Sequence, residues 1–182
     1  MKIRVSPCCW LPALAAAVVL MPGCNRQGRS SKDALFQMGQ PVNVGSLTYT
    51  ALESEWRDTL ETPNGSRTPK NRFLLIRLSV TNGGGVEAGV PLLNLVDAKN
   101  NEHLEEDKGD GVQQWFGLLR LIKPGSTDEG YLLFDVPPAT YRLRVSTGGD
   151  PEKEVVALVD IPFKLDMPQQ QPGLPIAPPP KQ

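Results

Sequence analysis

The clearest pattern in the chain is a long, mostly apolar segment near its middle, from Arg72 to Asn82. In its second half every other residue is apolar, and Arg77 and Ser79 occupy alternate positions. Successive side chains of a β-strand point to opposite faces, so this spacing predicts a strand with one buried and one solvated face. The residues predicted to share the buried face are Leu74, Ile76, Leu78 and Val80.

Several other segments have strand patterns and are separated by Gly, Pro and Asn turn signals; they lie at 42–56, 92–96, 130–136, 141–146 and 155–163. After Leu52 the alternation shifts by one residue, which indicates a β-bulge or a strand crossing between sheets. The segment 114–122 is apolar nearly throughout, so a strand and a short helix both remain open. About seven or eight short strands predict an all-β fold, an immunoglobulin-like antiparallel β-sandwich.

Composition divides the chain into four parts. Residues 1–23 begin with basic residues followed by a short apolar stretch, which is typical of a secretory signal peptide. Residues 24–40 are predicted to be a flexible polar tether, and residues 41–165 the sandwich domain. Residues 166–182 are rich in Pro and Gln and are predicted to be a disordered tail.

The signal peptide ends at Gly23-Cys24, which resembles the lipobox of bacterial lipoproteins. The resemblance implies that Cys24 carries a lipid, the only attached group that we expect. Cys8 and Cys9 lie inside the signal peptide, so Cys24 would be the one cysteine of the mature chain. Two or three acyl chains anchor a protein stably. We therefore expect a lipid-anchored protein of the cell envelope, with the outer membrane favoured in a Gram-negative cell because Asn25 is not Asp.

Charge and histidine content exclude two classes of function. Removal of residues 1–23 takes two of the 19 basic residues and none of the 20 acidic ones, which leaves a net charge of −3. Nucleic-acid binding requires a basic surface, so it is not expected. The sequence has a single histidine, His103, and no mature thiol other than Cys24 for it to activate. We therefore predict that the protein is not an enzyme.

Two groups of residues are candidates for binding. The segment 102–111 is acidic, and its carboxylates could collect Ca²⁺, although they lack the spacing of an EF-hand loop. The candidate metal ligands are Glu105, Glu106, Asp107 and Asp110. The second candidate is an interaction surface formed by Trp56, Trp115 and Phe116, for which burial in the core is the more common outcome.

A family resemblance covers about 120 residues. It is carried by Val44-Gly45, by 73–82, by Leu95-Val96-Asp97, by Pro124-Gly125 and by Gly130 with Phe134-Asp135-Val136-Pro137. These residues are similar to a domain of unknown function found in bacterial lipoproteins and secreted proteins, some of which carry a mistaken telomeric-repeat-binding label. The resemblance implies an immunoglobulin-like sandwich, similar to that of mycobacterial secreted immunogenic proteins, and no catalytic residues.

Together these features predict a non-catalytic envelope lipoprotein. We expect a membrane contact through the lipid and a protein partner in the envelope, with the sandwich domain acting as an interaction or surface-exposed module. The alternative is a small-ligand or Ca²⁺-binding domain that uses the acidic segment 102–111.

Overall fold

The computed structural model describes residues 35–149, 152 and 154–164. This part of the chain forms thirteen strands: β1 (Leu35–Gln37), β2 (Val42–Val44), β3 (Leu47–Arg57), β4 (Leu60–Thr62), β5 (Gly65–Arg67), β6 (Arg72–Asn82), β7 (Ala88–Gly89), β8 (Asn94–Val96), β9 (Glu102–Leu104), β10 (Leu121–Ile122), β11 (Thr127–Val136), β12 (Tyr141–Ser146) and β13 (Val156–Ile161). A search of the described residues finds no helix able to cross a membrane. The predicted signal peptide, Cys24 and the Pro-rich tail lie outside them.

Two principal sheets form a β-sandwich. One has the strand order β11-β6-β3-β2, and the other has the order β1-β13-β12-β8-β9. Two small sheets, β10-β7 and β4-β5, are attached to them. The pairings between named strands of the described chain are antiparallel except that β1 runs parallel to β13. The predicted all-β sandwich is therefore confirmed.

Strand β6 lies at the centre of its sheet and has the predicted bounds, Arg72–Asn82. The four residues predicted on its buried face are all fully buried in the main core, with side chains from both sheets. Tyr49 crosses this core, and its hydroxyl donates to the backbone carbonyl of Ser146 at 2.8 Å. Burial raises the pKa of the Tyr49 hydroxyl, which remains neutral.

The phase change in β3 is a β-bulge, as one of the two sequence alternatives predicted. The register of β3 against β6 shifts between Ala51 and Glu53. The extra residue returns Trp56 to the buried side of the strand, where it joins the main core.

The outer face of the four-stranded sheet differs from the prediction. The alternation in 130–136 puts Leu133 on the opposite face from Leu132 and Phe134 and so predicts that it faces solvent, but it is fully buried in a second cluster with Leu60, Phe73 and Leu75. Val112 packs against this cluster, and Leu60 belongs to the hairpin β4-β5. The strand pattern could not reveal this cover because it comes from loops distant in the sequence.

The extents of two segments and the number of strands also differ from the sequence predictions. The tether predicted at 24–40 overlaps the fold, because Leu35–Gln37 pairs with β13. Only Leu121–Ile122 of the apolar segment 114–122 forms a strand. The strands outnumber the predicted seven or eight because a strand of only two or three residues is too short to show an alternating pattern in the sequence.

Candidate functional site

An ion pair between Glu105 and Arg120 is buried beside β8 and β10. The two side chains are 0% and 1% exposed, and both guanidinium Nη atoms donate to the carboxylate. Glu105 also accepts the backbone N–H of Leu93 at 2.6 Å. Arg120 donates to the carbonyls of Gly117 at 2.5 Å and Pro91 at 3.4 Å. The pair therefore ties three separate loops together with its polar groups satisfied, as a buried charge requires.

Five exposed leucines adjoin this network in the sequence. Here the charged side chains are buried and apolar side chains are exposed, which is the reverse of the usual arrangement. Leu119 and Leu121 flank Arg120 and are 96% and 64% exposed. Leu104, which precedes Glu105, is 72% exposed. Leu92 lies between Pro91, whose carbonyl accepts from Arg120, and Leu93, whose N–H donates to Glu105. Leu118 follows Gly117. Both Leu92 and Leu118 are exposed. We call these five residues, Leu92, Leu104, Leu118, Leu119 and Leu121, the leucine patch.

Single exposed apolar residues are normal on a protein surface, whereas several on neighbouring loops make a candidate contact site. All five leucines are within two residues of a group that binds Glu105 or Arg120. The ion pair therefore connects the loops that carry these exposed leucines, and Leu119 and Leu121 line one groove. The patch is therefore the strongest candidate functional site of the described chain.

The segment 105–116 covers the outer edge of β11. The backbone of Tyr131 accepts from Phe116 at 3.0 Å and donates to Gln114 at 2.9 Å. The backbone N–H of Glu106 donates to Leu133 O at 2.8 Å. An uncovered edge strand is a template for unwanted pairing, and this segment blocks part of the edge.

A groove of about 240 Å³ lies between this segment and the leucine patch; its lining includes Trp115, Phe116, Leu119, Leu121, Asp128 and Glu129. The indole of Trp115 lies so close to Gly109 that a Cβ there would be 2.1 Å from the ring. Phe116 packs against the main core, and the Arg120 guanidinium lies 5.1 Å from its ring centre.

The three predicted aromatic contact residues therefore have different positions. Trp56 is 8% exposed and contacts Tyr141 and Phe163 within the core. Trp115 and Phe116 are partly buried beside the leucine patch. A joint platform of all three is not formed, and the role of Trp115 and Phe116 in binding stays a prediction.

The acidic residues predicted to hold Ca²⁺ are separated by arginines. Glu105 pairs with Arg120, and Glu106 pairs with Arg67 at 2.5 Å. Asp107 and Asp110 are exposed. Among the described residues no group of three or more His, Cys, Asp or Glu side chains is placed to hold a metal ion. Two of the four predicted Ca²⁺ ligands, Glu105 and Glu106, are thus paired with arginines, and the geometry does not favour a calcium site.

A polar cleft of about 430 Å³ lies on the outer face of the four-stranded sheet, lined in part by Arg57, Glu61, Gln113, Gln114 and Tyr131. The hydroxyl of Tyr131 donates to Glu53 at 2.6 Å, and this bond raises the Tyr131 pKa. Arg77 binds Glu129 at 3.0 Å beside it. These charges neutralise one another at the surface, and the arrangement does not indicate catalysis.

His103 lies on β9 rather than in a loop. Its ring meets that of Tyr141 edge to face, with the ring centres 5.5 Å apart. Its Nε2 lies 3.5 Å from the carboxylate of Asp97. Asp97 organises the turn between β8 and β9, because its carboxylate accepts the backbone N–H groups of Lys99 and Asn101 at 2.8 Å each. These contacts indicate a structural role for His103 beside the turn between β8 and β9.

We expect the turn at Asp97 to make stability depend on pH in acid. The side-chain amide and backbone N–H of Asn101 lower the pKa of Asp97 to about 2 from its ordinary 3.8. A depressed pKa stabilises the fold above the ordinary value, and this contribution is lost as the pH falls from about 3.8 to about 2. Asp97→Asn should therefore lower the thermal midpoint at pH 5, and its difference from the wild type should shrink towards pH 2. A difference that stays constant over this range would contradict the assignment.

The described residues thus define a small β-sandwich domain with several exposed leucines near a buried ion pair. The chain belongs to the family of the domain of unknown function DUF4352, whose model matches residues 36–153. The predicted membership in a domain family of unknown function is confirmed. No curated protein matches the sequence.

Solved structures of similar fold come from several bacteria. The yjhA protein of Bacillus subtilis has a TM-score of 0.52 and 15% identity, over 69% of this chain and 98% of that one. A candidate lipoprotein of the same organism, ycdA, has a TM-score of 0.51 and 18% identity, over 69% of this chain but only 39% of its own. A functionally unknown protein from Listeria monocytogenes has a TM-score of 0.50 and 10% identity, over 69% and 82%.

At these identities the likeness concerns the fold alone. The similarity to mycobacterial secreted proteins is not supported by these matches and stays a prediction.

Proposed function

We propose that the protein is a non-catalytic lipoprotein of the bacterial cell envelope, anchored by a lipid on Cys24, whose sandwich domain is an exposed interaction module. The observation that carries this proposal is the apolar N-terminal stretch that ends in Gly23-Cys24 ahead of a folded DUF4352 domain. The likeness in fold to ycdA, a candidate lipoprotein, agrees with it.

The described surface favours contact over chemistry. Its most unusual feature is the leucine patch, which is aliphatic, while the charged side chains of the adjoining ion pair are buried and mutually paired. Enzyme sites instead bring perturbed titratable groups together in a cleft. A protein partner in the envelope remains part of the proposal, and the outer membrane is the expected location in a Gram-negative cell.

Replacement of Cys24 should release the protein from the membrane. In Cys24→Ala the thiol that would be acylated is lost, so we expect loss of labelling by a palmitate analogue and a shift of the protein to the soluble envelope fraction. Cys8→Ala and Cys9→Ala are the matched controls, because both residues lie inside the predicted signal peptide and should leave labelling unchanged. Labelling that persists in Cys24→Ala would refute the lipid attachment.

A further inference from the structure

We propose that the leucine patch inserts into the lipid bilayer to which Cys24 is anchored, so that the domain lies against the membrane surface. This inference rests on the proposed anchoring. The occupant of the patch is the hydrocarbon just beneath the lipid headgroups, and the contact is a second, non-covalent attachment of the domain.

The chemistry of the patch fits lipid better than protein. Five leucines supply aliphatic surface and no hydrogen-bonding group at their side chains. Residues that dominate protein interfaces are mostly Trp, Tyr and Arg, and Leu is under-represented among them. Hydrocarbon, in contrast, accepts Leu without any requirement for matched shape or polar partners. Arg120 is the charged residue within the run of leucines, and it is withdrawn into the buried ion pair.

The rest of the groove fits an interfacial position. Trp115 and Phe116 line it beside Leu119 and Leu121, and aromatic rings are enriched at the level of the headgroups. Asp128 and Glu129 also line it, and their charges limit the depth of insertion to the leucine side chains. This is the shallow, interfacial mode of membrane contact rather than a membrane-spanning one.

The length of the N-terminal connection places the bilayer within reach. Ten residues, 25–34, separate Cys24 from Leu35 at the start of β1, and an extended chain of this length spans at most about 40 Å. Strand β1 forms one edge of its sheet, and β9, which ends at Leu104, forms the opposite edge. Four strand spacings of about 4.8 Å give a width of about 19 Å between those edges. The anchored domain can therefore turn its leucine patch to the membrane, at the high effective concentration that a short tether provides.

The test is an environment-sensitive fluorophore at position 119. Acylation would occupy Cys24, and the cleaved signal peptide would carry Cys8 and Cys9 away, so Leu119→Cys would supply the one free thiol for a nitrobenzoxadiazole label. The lipidated full chain, purified from cells and reconstituted in phosphatidylethanolamine and phosphatidylglycerol vesicles, is compared with the same protein in detergent-free solution after enzymatic release from its lipid. Leu52→Cys is the matched control, because Leu52 is also an exposed leucine but lies on β3, on the far side of β6 from β11.

We expect a blue shift and a several-fold rise in emission at position 119 on vesicles, quenching by brominated acyl chains, and no comparable change at position 52. If the protein floats with vesicles while the label at 119 stays solvated, the insertion is refuted and the lipid anchor stands. If the Cys24→Ala chain loses its palmitate but its labelled patch still binds vesicles, the insertion stands without the anchor. A label that becomes buried in solution as protein concentration rises would identify a second copy as the occupant and overturn the proposal.

Discussion

Replacing Glu105 with alanine is expected to lower the free energy of unfolding by about 3–5 kcal/mol, because it leaves a buried guanidinium without its counter-charge. The Glu105 and Arg120 side chains are 0% and 1% exposed, so the guanidinium would lose its counter-charge away from bulk water. The backbone N–H of Leu93 also loses its acceptor. Urea unfolding, with the midpoint and slope compared with those of the wild type, measures the change.

The adjacent residue provides the matched control for this variant. Glu106 also pairs with an arginine, Arg67, but these two side chains are 31% and 24% exposed. Glu106→Ala should therefore cost at most about 1 kcal/mol. The double variant Glu105→Leu with Arg120→Met should recover only part of the loss, since apolar residues of similar volume can replace a buried pair but leave the Leu93 N–H and the Gly117 and Pro91 carbonyls without these partners. Equal effects of Glu105→Ala and Glu106→Ala would show that burial of the pair is not important for stability.

Gly130→Ala is expected to destabilise the fold by about 1–3 kcal/mol, the cost of overpacking a tightly packed site. Glycine is unfavourable inside a strand, so alanine on β11 would ordinarily be an improvement. Here a Cβ would lie 2.8 Å from the Cα of Phe116 and 2.9 Å from the carbonyl oxygen of Gln114. These are backbone atoms, so the segment 114–116 must move off the strand. We expect Trp115 fluorescence to shift to the red and the amide of Tyr131, which donates to Gln114, to exchange faster.

Gly85→Ala is the control for this substitution. A Cβ at Gly85 would meet no atom within 4 Å, so the change should leave stability and the Tyr131 amide unaffected. Protection of Tyr131 that is equal in Gly130→Ala and in the wild type would mean that the segment 114–116 accommodates the methyl group, and its close docking would then not depend on the glycine.

Local pattern was sufficient to predict the strands of the core. The alternation in Arg72–Asn82 predicted the bounds of β6 and its buried face, and the phase change after Leu52 predicted a bulge in β3 as one of two alternatives. Both depend only on the two-residue repeat of an extended chain, which is a property of the sequence itself. The pattern failed at Leu133, whose cover is supplied by residues far away in the chain.

The candidate site was only partly accessible from the sequence. The acidic segment that contains Glu105 and the apolar segment that contains Arg120 were each recognised as unusual, but separately. A single arginine inside an apolar run was the available signal of a buried charge, since such a residue requires a nearby carboxylate. The pattern did not identify which of the neighbouring carboxylates it would meet.

The sequence by itself determined the β-class of the protein, its principal strands and the resemblance of its N-terminus to a lipoprotein signal, because these are encoded in short, contiguous patterns. The tertiary structure alone decided that Glu105 is buried while Glu106 is partly exposed, and that the leucines around Arg120 face outward. The physical reason is that burial is a property of packed surfaces: a charge or a leucine becomes internal or external only when loops separated in sequence close over one of them.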